Sequence, residues 1–297
     1  MTFRTRPALA VMALIAGLSA GSAGAREQSE KLLYDIMLGG LHVGDTVVTF
    51  SQTPDRYQST LEMRSRGMLQ WFQNFRAAVT SEGALVTGGP AITPLPAVYR
   101  REWAAPEMAA YMTMTFDPTT GLTTSEERMF NPATGETLRV EDMPWNSRRR
   151  PIPQVPEELR RGALDPVAAF VGARTQILAS KSREVRMPIY DGRRRYDIVS
   201  TVGNPRVFTI RDMPRELVPV VSRVEPVFGF EPDAEDRMRE SEGRILFSND
   251  DRFVPVQVIL GNDMFSSVMN LVAECNVDPQ PCDAFGAPNA AQDTAAN

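Results

Sequence analysis

Apolar and polar residues alternate along most of this chain in runs too short for a helix, and Gly, Pro, Asn and Asp punctuate them. Period-two alternation puts successive side chains on opposite faces of a strand. It predicts strands over residues 32–38, 41–50, 57–64, 72–80, 97–103, 111–116, 121–130 and 137–141. Further strands are predicted over 183–190, 194–201, 207–210, 244–247, 253–260 and 264–272. Turn signals separate them: Asp191-Gly192, Asn249-Asp250-Asp251 and Gly261-Asn262-Asp263. Short strands joined by such turns indicate a meandering antiparallel sheet.

The last three strands carry the clearest pattern. In DRFVPVQVILGN, Val254, Val256, Val258 and Leu260 share one face, which is expected to point to the core. Pro255 lies opposite and marks an edge, a bulge or a strand start. One segment breaks the β rhythm. In LDPVAAFVGARTQILAS, Asp165 fits an N-cap and Pro166 the first helical position. Val167, Phe170, Val171, Ile177 and Leu178 recur at helical spacing beside Arg174, so a stripe is expected to pack on the sheet. The fold class is therefore mainly β: a large curved antiparallel sheet, open barrel or spiral, packed around one main α-helix at about 165–180.

Composition adds a location. Arg4 and Arg6 precede the apolar run ALAVMALIAGL, and small residues lead to Ala23-Gly24-Ala25. That is the pattern of a secretory signal peptide over residues 1–25, cleaved after Ala25. The expectation is a periplasmic protein with one domain over 26–285 and a disordered tail over 286–297. No other apolar stretch has the length of a membrane span. Loss of Arg4 and Arg6 shifts the net charge from −5 to −7. An acidic chain of this kind is not a general nucleic-acid binder. Cys275 and Cys282, in AECNVDPQPCD, are expected to pair in an oxidising compartment. Two cysteines and one distant histidine fall short of a zinc site.

Candidate chemistry is thin. His42 is the one histidine in the chain, and no G-x-S-x-G elbow or H-E-x-x-H pair accompanies it. Between Leu41 and Val43 it reads as a residue on a strand face. The glycines of GGLHVG lack the spacing of a dinucleotide loop and the lysine of a P-loop. Gly39-Gly40 instead reads as a hairpin turn or bulge. Acidic residues cluster at Glu126-Glu127 and at Asp233, Glu235 and Asp236, without a defined separation. Arginines cluster at Arg100-Arg101, Arg148 to Arg150, Arg160-Arg161 and Arg193 to Arg195, read as a solvated face with local salt bridges. GMLQWFQNF crowds Met68, Leu69, Trp71, Phe72 and Phe75 into nine residues. Beyond an ordinary core, these could line an apolar lip for an acyl chain or a partner's hydrophobic segment.

Several short motifs occur in a telling order: Tyr34-Asp35, Gly39-Gly40, Gly44, Gly67, Asp165-Pro166, Asp191-Gly192-Arg193-Arg194 with Tyr196, and the strand at Arg252–Pro255. Over about residues 32–272 the chain resembles the domain of unknown function 3108 family of exported bacterial proteins. The resemblance brings no activity and no catalytic residues. At the level of fold it is similar to periplasmic lipoprotein carriers and β-spiral envelope proteins, which use a concave apolar side. The expectation is a non-enzymatic envelope protein, without cofactor or metal, that supports envelope integrity. Its partner would be a lipid or lipoprotein, or an envelope protein. Two other classes fit: a protein-interaction scaffold, and a hydrolase acting on an envelope glycan through two acidic side chains roughly 5–10 Å apart in a cleft.

Overall fold

Hairpin chemistry builds this protein from its first turn. The computed structural model describes residues 28–67, 69–70, 74–87, 92–139, 153–180, 182–261 and 266–282. The expected signal peptide (1–25) and tail (286–297) lie outside the described residues, as do Arg148 to Arg150. Strands β1 (Gln28–Leu38) and β2 (Leu41–Gln52) pair through Leu38 and Leu41. Gly39 and Gly40 take φ of +56° and +82°. Two consecutive positive φ values make the tight turn whose twist matches a hairpin, and glycine adopts it without strain.

The meander continues through β3 (Arg56–Ser65), β4 (Arg76–Val86), β5 (Thr93–Ala105), β6 (Met108–Phe116) and β7 (Thr123–Phe130). Two helices follow, α1 (Glu157–Arg160) and α2 (Pro166–Ser180), then β8 (Glu184–Tyr190) and β9 (Arg195–Val202). β10 (Arg206–Ile210), β11 (Met213–Phe228), α3 (Pro232–Glu240), β12 (Glu242–Ser248), β13 (Pro255–Leu260) and β14 (Ser267–Glu274) complete the chain. All strands join one antiparallel sheet in the order β7-β6-β5-β4-β3-β2-β1-β14-β13-β12-β11-β9-β8, with β10 paired to β11. The β1–β14 ladder joins the two ends of the described chain.

The sheet is not closed by a ladder, since β7 and β8 are its two edges. A polar seam spans them instead. Tyr190 Oη and Ser125 Oγ lie 2.8 Å apart, and Arg193 Nε donates to Glu127 Oε2 at 2.5 Å. Arg160 Nη1 donates to the Thr123 carbonyl at 2.6 Å. Between the edges runs the chain just before α2. The Gly162 amide donates to the Gly121 carbonyl, and the Leu164 amide to Pro188 on β8. Edge groups satisfied in this way do not template another strand.

The strong α2 pattern proves incomplete as an amphipathic stripe. Pro166 through Val171 are all buried, as are Gly172, Arg174, Thr175 and Ile177. The sheet wraps most of the helix, and only Ala179 and Ser180 at its end are exposed. Phe170 stacks on Phe247 of β12 with ring centroids 6.1 Å apart. The helix itself joins a core drawn from nearly every strand.

Other expectations need correction. Of the strand expected at 72–80, residues 72–73 lie outside the described residues and β4 begins at Arg76; of that expected at 137–141, residues 140–141 lie outside them and Thr137 forms an isolated bridge with Phe130. β11, the longest strand, was hidden by Pro214, Pro219 and Pro226. The acidic run at Asp233–Asp236 forms part of α3. The aliphatic face of β13 is split by a register shift opposite Leu246 and Phe247. Val254 and Val258 face the main core, whereas Val256 turns outward onto Ile210, Leu217 and Leu246. Pro255 starts the strand at this bulge, where a missing N–H costs no ladder bond.

Candidate functional site

The helix N-terminus sits inside the sheet and fixes the interior electrostatics. Asp165 is fully buried. Its Oδ1 accepts the Val167 and Ala168 amides, both at 2.9 Å, which makes it the expected N-cap. Its Oδ2 accepts from Ser81 Oγ at 3.0 Å, and Tyr57 Oη lies 3.1 Å from the same serine. Desolvation pushes the Asp165 carboxyl up to about 6, against the amide and hydroxyl bonds that favour the charged form. Burial likewise raises the phenols of Tyr57 and Tyr99 well above their ordinary range.

At the other end of α2, buried Arg174 donates from Nε to the Phe253 carbonyl at 3.2 Å and from Nη2 to the Arg252 carbonyl. Desolvation lowers its guanidinium to about 10. Between α2 and strands β8, β9, β11 and β12 lies an apolar cavity of about 30 Å³. Its only other polar lining comes from Ser200 and Ser222, whose hydroxyls are 2.8 Å apart. A space of that size holds about one water. The concave side of the sheet is therefore occupied by the protein's own helix.

His42 stands on the outer face of β2, half exposed. Its Nε2 lies 2.7 Å from Asp45 Oδ1 and 3.0 Å from the Gly44 carbonyl oxygen. Asp45 also accepts from Arg66 Nε at 2.7 Å. No nucleophile joins this group among the described residues. Gly44 is needed for packing: a Cβ there would sit 2.8 Å from the Arg64 carbonyl oxygen.

Of the aromatic segment, Met68, Trp71 and Phe72 lie outside the described residues. Leu69 is exposed, and Phe75 stacks on Trp103 at 6.4 Å. Neither lines the interior cavity. The arginine clusters serve mostly as stitching. Arg100 and Arg101 pair with Glu82 and Glu127, Arg161 donates to the Thr120 carbonyl, and Arg195 pairs with Asp197. Glu127 thus belongs to the seam, and Glu235 pairs with Arg239 along α3. The disulfide forms between Cys275 and Cys282, with Cα atoms 5.8 Å apart. It packs on Leu33 and Val47, the outward residues of β1 and β2.

Sequence reading missed a second concavity. On β3 to β6 the core takes Met63, Ala77 and Tyr99, so Glu62, Arg64, Arg76, Ala78, Glu102 and Tyr111 face outward. These residues line a groove of about 400 Å³. In register, Glu62 opposes Ala78, Ala78 opposes Glu102, and Glu102 opposes Tyr111. Glu62 and Glu102 are two strands apart, which separates their backbones by about 10 Å. No local motif signals this arrangement, because it draws on four separate strands.

Among curated proteins no significant match is found. One solved structure, a beta-barrel-like protein of domain of unknown function DUF1849 from Brucella abortus, is similar at a TM-score of 0.44 and 12% sequence identity. The similarity covers 83% of this chain and 96% of that one. The profile of DUF3108, described as a protein of unknown function, matches residues 33–270. With its family profile matched over most of its length, the chain belongs to the DUF3108 family.

Proposed function

We propose a non-enzymatic periplasmic protein that supports envelope integrity by binding an envelope partner on its outer surface. The observation that carries this reading is the filled interior. α2 occupies the concave side, and the cavity beside it holds about 30 Å³. An acyl chain needs far more, since ligand pockets span roughly 300–1,000 Å³. A lipid held inside the sheet would have to displace the helix and its buried cap, so binding falls to the outside. Export rests on the basic start, apolar run and Ala23-Gly24-Ala25 pattern. The test is to purify the protein from its own periplasm, extract it for lipid, and crosslink it in intact cells. Lipid-free protein crosslinked to an envelope component is the expected result. A stoichiometric lipid, or retention in the cytoplasm, overturns the reading.

A second reading, the carboxylate-dependent glycan hydrolase, draws on one observation: Glu62 and Glu102 line the same groove. It requires release of reducing ends from cell-wall glycan that is lost in both Glu62→Gln and Glu102→Gln. Undiminished release by either variant removes it.

A further inference from the structure

We infer that the groove on the outward face of β3–β6 binds a saccharide carrying a single carboxylate. The inference rests on the surface-binding reading and names the chemistry of the partner.

The charges come first. Arg64 and Arg76 are direct cross-strand partners. Opposed side chains stand about 5 Å apart at Cβ, and like charges there are destabilising. Arg76 is exposed, and its guanidinium makes no ion pair with a described residue. An anion over Arg76 would offset its repulsion from Arg64, and a planar carboxylate matches guanidinium geometry. One row along, Glu62 and Glu102 are likewise exposed and make no ion pair with a described residue. They supply acceptors for hydroxyl and amide N–H groups. The arginine row and the glutamate row are separate, so one ligand can turn a single negative charge to the arginines and its donors to the glutamates, whereas a multiply phosphorylated one would face both carboxylates.

Shape points the same way. Ala78 and Ala104 form the floor, so nothing larger than a methyl group keeps a ring from the sheet. Tyr111 forms one wall with half its surface open. Its ring is fixed from behind by stacking on Phe130, at 5.5 Å and 16°. The Arg128 guanidinium packs on the same Phe130 ring, 5.4 Å from its centroid. The electron-rich face of a held aromatic ring attracts polarised C–H groups, and a pyranose presents a flat C–H face. The groove's 400 Å³ accommodates one or two such rings.

The test uses the full mature chain and three small probes followed by amide chemical shifts. N-acetylmuramic acid carries the carboxylate, N-acetylglucosamine is the same ring without it, and glucosamine 6-phosphate carries a dianion. N-acetylmuramic acid should shift amides on β3–β6 saturably, and each of the other two should bind about tenfold more weakly. Arg76→Ala and Tyr111→Ala should each weaken it by about tenfold with unchanged thermal unfolding, and Tyr111→Phe should retain binding. The inference is overturned by no saturable shift at millimolar probe, by equal affinity for the three, by shifts mapping elsewhere, or by wild-type binding in Arg76→Ala. If the groove binds nothing while crosslinking still recovers an envelope partner, the groove falls and the surface-binding reading stands.

Discussion

Replacing Asp165 by Asn keeps the shape of the helix cap and removes one buried titration. In the folded chain this carboxyl titrates at about 6 against 3.8 for an ordinary aspartate. The difference corresponds to on the order of 3 kcal/mol between its two protonation states. The folded chain holds the proton more tightly than the unfolded chain. The stabilisation from protonation is therefore fully present below about 3.8 and is lost as pH rises through about 6. Charged Asp165 is a cost that the cap tolerates at neutral pH. Its described neighbours are the neutral phenols of Tyr57 and Tyr99 and the Ser81 hydroxyl, none of which offsets the charge as a cation would.

The asparagine variant still accepts the Val167 and Ala168 amides and can donate to Ser81. At pH 4 the folded wild-type carboxyl is protonated, so both proteins then hold the cap through neutral bonds. Asp165→Asn should thus match wild type to within about 1 kcal/mol at pH 4 and be about 3 kcal/mol more stable at pH 8. Urea unfolding of both proteins across that range measures the difference. Parallel stability profiles would refute the reasoning, because they would mean that Asp165 titrates alike in the folded and unfolded chains. Asp165→Ala removes the cap altogether and should lose about 1–3 kcal/mol at pH 4, where the wild-type carboxyl is neutral.

Three further outcomes follow from the geometry. Gly83→Ala would place a Cβ 2.2 Å from the Leu95 carbonyl oxygen and 2.7 Å from Pro96 Cα, at the register shift between β4 and β5; a loss of about 1–3 kcal/mol in chemical denaturation is expected. Replacing Cys275 and Cys282 together by Ser should cost up to about 2.5 kcal/mol by loop entropy, read as a lower thermal midpoint, with added loss from the packing on Leu33 and Val47. His42→Ala removes an exposed contact with Asp45 and should change stability by less than about 0.5 kcal/mol. A growth or envelope defect from that substitution, with the fold intact, would mean that His42 has a role the fold does not reveal.

Local rules were legible in the sequence alone. Gly39-Gly40 between two alternating runs specified a hairpin, and Asp165-Pro166 before an apolar run specified a capped helix. Both depend on a few adjacent residues. The edges of several strands were less legible, and β11 was missed. Its prolines read as breaks, yet each can serve a ladder through its carbonyl alone, as Pro219 does when it accepts the Gly203 amide at 2.8 Å.

Tertiary structure decided the rest. Whether α2 lies on the sheet or inside it depends on how far fourteen strands curl, which no local pattern encodes. A single bulge sent Val256 to the opposite face from Val254 and Val258, because side chains alternate with period two. The seam residues Ser125 and Tyr190 are 65 positions apart, and the groove draws its lining from four strands. Sequence by itself determined most of the strands, where the main helix starts, and which cysteines can pair. Only long-range strand register determined which charges meet, since that depends on neighbours far away along the chain.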